Sequence, residues 1–375
     1  MLALYVHVPF CRSKCAYCDF FSLPISSQTD AYAEALIREV NFKGSSWGGK
    51  LDTFYFGGGT PSCLEPELLA AVLNGCGRFF SWDCNTEFTV EANPGTVNRR
   101  YLEYIRSLGV NRLSIGLQAA QDSHLRRLGR GHSVAEFSRA LEDARSAGFI
   151  NVSIDAIYGL PEQTCVDYME TLDFVVSSGA EHVSVYALQV ESDTPFYELW
   201  SQGKLIVPDD DAVAEMMLKG RDFLLKQGYS QYEISNFALP GFESRHNMTY
   251  WRNQEYLGLG PSAASYIGGR RFVNIADLSA YTTTLAAGKL PLASCECLDQ
   301  ERSMAETVIL GLRMLNEGVN RQTFKKRYGV DPLRHYQQII DKWCNLGFLE
   351  FTPDLIRLTA KAVPVASQIQ LTFLP

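Results

Sequence analysis

Over the first ~190 residues, short apolar runs of strand length alternate with longer stretches of helical periodicity, and this alternation restricts the chain to few architectures. The strand-like runs occupy residues 2–8, 51–56, 86–91, 112–118, 151–158 and 182–188. Helical patterns fill residues 30–42, 66–80, 98–108, 133–147 and 165–178. Strand, covering helix and next strand make the unit of a parallel sheet, so the class is α/β. Local signals mark the helix ends. Asn98 stands at a capping position, and Ser133 with Glu136 has the form of a capping box. Gly109, Gly148 and Gly179 fall where helix C-caps belong. Six units are too few for a closed eight-unit barrel, so an open, partial (β/α)6 barrel is expected.

After residue 190 the pattern changes. Residues 209–227 read as a helix with an acidic start, 228–237 as one further strand, and 245–266 as a loop dense in aromatics and glycine. From residue 297 a small helical unit is expected, with helices over 306–316, 322–328 and 332–346. A hairpin over 348–351 and 355–358 completes a winged-helix-like pattern. The chain thus divides into a core (1–235), an extension (236–295) and a small C-terminal helical domain (296–375).

Composition narrows the function. The 375 residues are 46% hydrophobic and 20% charged, as in an ordinary soluble globular protein. No run approaches the ~20 apolar residues of a membrane span. The net charge of −8 and the lack of a long basic run weigh against a nucleic-acid partner. Met1-Leu2-Ala3-Leu4 lacks the basic segment of an export signal, so the ten cysteines are expected to stay reduced in the cytoplasm. Seven of them, Cys63, Cys76, Cys84, Cys165, Cys295, Cys297 and Cys344, read as small buried apolar residues. The other three crowd into Cys11-x3-Cys15-x2-Cys18.

Three thiolates on one loop at the C-terminal mouth of a β/α barrel can hold three corners of a cubane iron–sulfur cluster. The alternatives are a zinc site with His7 or Asp19 as fourth ligand, and a Cys15–Cys18 redox pair that leaves Cys11 unexplained. Gly57-Gly58-Gly59-Thr60-Pro61 ends the second strand, either as a tight turn or as backbone offering free N–H and C=O groups to a ligand. Glu91, Gln118 and Asp155 occupy strand positions where apolar residues are expected, and Arg130 follows shortly. A buried carboxylate needs a partner, which is either an Asp155–Arg130 ion pair or a ligand. His246-Asn247-Met248-Thr249-Tyr250-Trp251 reads as a packed loop or as an iron-binding, porphyrin-stacking segment.

The cysteine loop resembles the CxxxCxxC loop of the radical S-adenosylmethionine (SAM) superfamily. Tyr5-Val6-His7-Val8-Pro9-Phe10 before it and Asp19-Phe20 after it are similar to the branch that holds oxygen-independent coproporphyrinogen III oxidase and the HemW-type heme chaperones. The resemblance runs over nearly the whole chain. It implies a radical SAM barrel with extra strands, and a [4Fe–4S] cluster on Cys11, Cys15 and Cys18 whose fourth iron is open to SAM. It further implies SAM contacts at Gly58, Gly59, Thr60, Glu91, Gln118, Arg130 and Asp155, and also at Tyr5, Tyr17, Ala187 and Ala264. The HNxxYW hexamer implies heme, with His246 as axial ligand. Relatives often carry a second histidine where this chain reads Gly260-Pro261-Ser262-Ala263-Ala264, so one protein ligand is expected.

Three features favour the chaperone over the oxidase. Phe20 stands where the oxidase has a fourth cysteine, Cys11 comes too early for the oxidase's N-terminal extension, and HNxxYW is present. The resemblance therefore implies a cytoplasmic chaperone that binds the cluster, SAM and heme and delivers heme to an acceptor protein. Iron- and electron-donor proteins are further partners, and peripheral membrane contact stays open. Anaerobic decarboxylation of coproporphyrinogen III is the alternative, and a zinc or scaffold protein the third reading.

Overall fold

Each strand of the core has one apolar and one polar face, and that division decides what lies on either side of the sheet. The computed structural model describes residues 2–25 and 28–375; Met1, where the N-terminal reading began, lies outside them. Strands β1 (Ala3–Val8), β2 (Thr53–Gly58), β3 (Glu87–Ala92), β4 (Arg112–Gln118), β5 (Val152–Tyr158) and β6 (His182–Ala187) lie side by side in parallel. Helices α1 (Thr29–Trp47), α2 (Pro66–Cys76), α3 (Arg99–Ser107), α4 (Val134–Ser146) and α5 (Cys165–Ser177) connect them. Leu4, Val6, Phe54, Phe56, Phe88, Val90, Leu113, Ile115, Ile154 and Val183 share one core with Leu36, Leu69, Leu102, Phe137 and Leu172 of the helices. The alternate residues are Thr53, Glu87, Thr89, Arg112, Ser114, Ser153, His182 and Ser184, all buried and all polar. Side chains in a strand alternate between faces, so these line the concave side.

The caps hold as expected. Asn98 accepts from the Tyr101 N–H at 2.9 Å, and Ser133 and Glu136 form the capping box. Gly109, Gly148 and Gly179 have φ of 102°, 88° and 71°, the left-handed conformation that glycine adopts at no steric cost.

The sheet grows at both edges. On the β6 side come two short antiparallel strands, β7 (Ser230–Gln231) and β8 (Asn236–Ala238). The single strand expected over 228–237 is therefore broken. Glu233, fully buried between them, turns the chain: it accepts from the Ser235 N–H at 2.8 Å and Asn236 Nδ2 at 2.5 Å, and pairs with Arg313 at 3.1 Å. On the other side β9 (Tyr256–Leu259) runs parallel to β1, followed by antiparallel β10 (Ala264–Ile267), β11 (Arg270–Asn274) and β12 (Leu292–Cys297). The order β7-β8-β6-β5-β4-β3-β2-β1-β9-β10-β11-β12 leaves the barrel open.

Residues 245–266 are thus no loop. They form a short helix, Arg245–Trp251, then β9 and β10. Seven residues are too few to show a helical period, and two devices fix the turn instead. Ser244 accepts from the Asn247 N–H, and the carboxylate of Glu87 takes the N–H groups of Arg245 and His246, each at 2.9 Å.

Of the seven scattered cysteines only Cys76 is fully buried; Cys84, Cys295 and Cys297 are exposed. Cys295 and Cys297 sit on β12, the open edge of the sheet, where β11 pairs with one side and no strand among the described residues pairs with the other.

The C-terminal unit has its own core of Met304, Val308, Phe324, Ile340, Ile356 and Leu358. Its helices Gln300–Gly311, Arg321–Tyr328 and Gln337–Asn345 pack with a three-stranded sheet of Val319–Asn320, Leu355–Leu358 and Leu349–Phe351. The hairpin stands where expected, while the two-residue third strand carried no pattern to read. The helix expected over 332–346 is interrupted at Tyr336. Among the described residues, no helix is long and apolar enough to cross a membrane.

A buried ion pair locks α1 to the β9–β11 flank. Lys43 and Glu39, 2% and 0% exposed, pair at 2.7 Å, and Glu39 also accepts from Tyr281 OH, Asn274 Nδ2 and the Gly260 N–H at 2.6–2.7 Å. Glu39→Ala leaves the Lys43 charge buried without its carboxylate. Denaturant unfolding should show a loss of about 3–5 kcal/mol.

Candidate cofactor site at the barrel mouth

The concave face encloses a cavity of about 660 Å³ that opens beside the cysteine loop. Of the expected positions, Tyr5, Cys11, Cys15, Tyr17, Cys18, Gly58, Gly59, Thr60, Glu91, Gln118, Arg130, Asp155, Ala187 and His246 all line it. Ala264 does not. It belongs to β10 and packs on β9, where its carbonyl would lie 2.0 Å from a Cβ placed on Gly258.

The cysteine loop is pinned at its centre: Ala16 donates its N–H to Leu128 O and accepts from the Phe196 N–H, both at 3.0 Å. Donors point at two of the cysteine sulfurs, Thr60 Oγ1 at 3.5 Å from Cys11 Sγ and Arg130 Nη1 at 3.6 Å from Cys15 Sγ. His7 is committed elsewhere. Its Nε2–H donates to Phe21 O at 2.8 Å and its Nδ1 accepts from Tyr5 OH at 3.1 Å, so it is not free to be a zinc ligand. Among the described residues, no three His, Cys, Asp or Glu side chains converge on one ion, as zinc requires. Three cysteines on one loop beside the cavity are the donor set that a cubane with one open iron takes.

The glycine turn differs from expectation in one respect. Its N–H groups are already used: Gly58 donates to Glu91 Oε2 at 3.1 Å, Gly59 to Val8 O at 2.8 Å and Thr60 to Phe10 O at 2.7 Å. What the turn can offer a ligand is therefore acceptors, suited to an ammonium group. Glycine is required here by close approach, since a Cβ on Gly58, whose φ is 108°, would lie 2.6 Å from the His7 ring.

Glu91 accepts from Tyr55 OH at 2.7 Å, and burial, with Asp155 nearby, pushes its carboxyl up to about 7. Asp155 accepts from Ser114 Oγ at 3.1 and 3.2 Å, and burial raises it too. The Asp155–Arg130 ion pair is not what forms. Arg130 turns instead to Cys15, to Asn93 Oδ1 and to Gly116 O at 3.0 Å, and its Nε has no partner. Gln118 takes φ of 75° at a register shift between β4 and β5, an uncommon conformation for a side-chain-bearing residue that costs about 1–3 kcal/mol.

His246 lies deeper, 1% exposed, at the floor. Its Nδ1 is 2.8 Å from Thr53 Oγ1, its Nε2 2.8 Å from Tyr250 OH, and its ring stacks on Tyr55 at 4.8 Å. Burial, then the Arg112 charge, lowers its pKa to about 3, so the ring is neutral. Neither nitrogen is free as the chain stands. Iron ligation has to exchange one of these bonds.

Comparison with known proteins places this arrangement. Residues 5–175 match the radical SAM superfamily, and residues 298–365 match the HemN C-terminal domain. The heme chaperone HemW of Bacillus subtilis is 35% identical over 100% of this chain and 99% of its own length. That of Escherichia coli is 36% identical over 70% of this chain and 69% of its own. This chain belongs to the HemW family of radical SAM proteins. Coproporphyrinogen III oxidase (HemN) from Escherichia coli shares its fold, with a TM-score of 0.87 at 23% identity over 99% of this chain and 89% of that one.

Among the residues of this HemW-family cavity that escaped the sequence reading are Arg112, Tyr55 and Gly116. Arg112 and Tyr55 line the wall, yet each sits in an ordinary strand run and only the alternation of faces could have found it. Gly116 carries no motif at all. A Cβ there would lie 2.7 Å from Gln118 Nε2 and 2.9 Å from Arg130 Nη2.

Gly116→Ala should therefore displace both side chains. Its SAM affinity, read by equilibrium dialysis, should fall by roughly 1.5–3 kcal/mol while bound iron stays constant. Glu91 supplies a second expectation. The folded chain holds this proton more tightly than the unfolded chain, so its contribution to stability falls as pH rises from the ordinary carboxylate range through about 7. Chemical denaturation between those limits should show that slope in the parent and lose it in Glu91→Gln.

Proposed function

We propose that this chain is a heme chaperone that carries a [4Fe–4S] cluster on Cys11, Cys15 and Cys18, binds SAM along the cavity wall, takes up heme and passes it to an acceptor protein. The observation that carries this reading is the 35% identity to HemW of Bacillus subtilis over the full length of both chains. The cavity adds its support by gathering the cysteines, the glycine turn, Glu91, Gln118, Arg130 and Asp155 on one wall. The cluster supplies an iron site open to SAM and an electron. The protein's part is positional: the turn's carbonyls suit an ammonium group, Arg130 a carboxylate, and Glu91, when ionised, a ribose diol. Tyr5, Tyr17 and Ala187 complete the wall. We place the protein in the cytoplasm, with iron- and electron-donor proteins and the heme acceptor as partners.

The oxidase alternative is tested by a coproporphyrinogen III assay on reconstituted protein, in which no decarboxylated product is expected. Phe20, 59% exposed where the oxidase has its extra cysteine, supports the chaperone side.

His246 is the residue proposed to hold the heme iron, and its Nε2 would have to give up the bond to Tyr250 to do so. Tyr250→Phe removes that competing bond, so heme titration should show tighter binding, whereas His246→Ala should shift the Soret band and weaken it. If neither variant departs from the parent, heme is held elsewhere. In the same preparations Cys15→Ala should lose the broad iron–sulfur absorbance and Cys297→Ala should keep it.

A further inference from the structure

Below the wall just described, the cavity continues to Arg112, which opens β4 on its inward face. This arginine is 2% exposed, and its Nε is buried without a hydrogen-bond partner. Glu91 and Asp155 act on it only through space. The polar groups nearest it in the floor are already matched. His246 is held by Thr53 and Tyr250, and His182 by Ser153 at 2.8 Å and Tyr232 at 2.9 Å. The carboxylate of Glu87 is taken by the N–H groups of Arg245 and His246. A buried guanidinium with an open Nε–H is costly, and among the described residues no hydrogen bond to that donor offsets the cost.

We propose that the floor of this cavity is a binding subsite for a monocarboxylate on a flat, apolar body, anchored by the guanidinium of Arg112. A guanidinium fork matches a carboxylate through two parallel hydrogen bonds. Arg112 offers one positive charge and Glu91 and Asp155 act on the same space, so a dianion such as phosphate is disfavoured more than a single negative charge. The rings of Tyr5, Tyr55, Tyr186 and Tyr250 line the same cavity and supply flat apolar walls. The subsite stands whether or not the chain carries heme.

Isothermal titration of the cluster-reconstituted protein with benzoate, acetate and inorganic phosphate tests it. Benzoate should bind saturably and more tightly than acetate, and phosphate should not bind. Arg112→Gln should weaken benzoate by roughly tenfold or more. Arg112→Lys, which keeps the buried charge but not the fork, should weaken it to a lesser degree and carries the comparison alone if Arg112→Gln does not fold. Iron content and SAM binding, measured on the same samples, report the upper wall separately. No saturable benzoate binding in the parent, equal affinity in Arg112→Lys, or phosphate binding as tightly as benzoate overturns the proposal.

Discussion

The inward faces of the six parallel strands carry carboxylates, hydroxyls, histidines and an arginine, and this polarity governs the rest of the molecule. A closed eight-stranded barrel fills its interior with branched apolar side chains. An interior of Glu87, Thr89, Glu91, Arg112, Ser114, Asp155 and His182 cannot be packed dry, because each unpaired group would cost its hydration. The sheet stays open, and its concave side becomes a lined cavity. The apolar rows on the opposite side do the work of stability, against the helices.

An open barrel needs a floor, and the segment after β8 provides it. The helix Arg245–Trp251 enters beneath the strands with its N-terminal N–H groups on Glu87, placing positive helix end against negative side chain. His246 then bonds up to Thr53, and Tyr232 joins His182 to the Ser244 N–H. His246, Asn247 and Tyr250 of HNxxYW are therefore part of the cavity wall itself, closer to Tyr5 and Tyr55 of the first two strands than their position in the chain suggests.

Much of this was legible because local rules and the global fold agree. The six strands, their helices and the caps at Asn98 and Ser133 follow from alternation and capping chemistry, and the wall residues from their polar character at strand ends. Elements shorter than one period were not legible. The helix at Arg245–Trp251 and the strands at Ser230–Gln231 and Val319–Asn320 are held by tertiary bonds that no local pattern encodes. Gly116 and Arg112 were hidden for a different reason: each reads as ordinary until its cross-strand neighbours are known. The same holds for Glu233, whose buried carboxylate breaks a strand that propensity alone would continue.

The helix that carries HNxxYW has two masters. While His246 and Tyr250 face the cavity, Trp251 stacks under the Arg313 guanidinium at 4.2 Å and Arg252 pairs with Glu317 at 2.6 Å, both in the C-terminal unit. Arg313 in turn reaches Glu233, the residue that shapes the barrel's edge. The small unit is thus a keystone as much as an appendage: a barrel cut away from it would lose the Arg313 and Glu317 contacts that brace its floor and the Arg313 partner of Glu233.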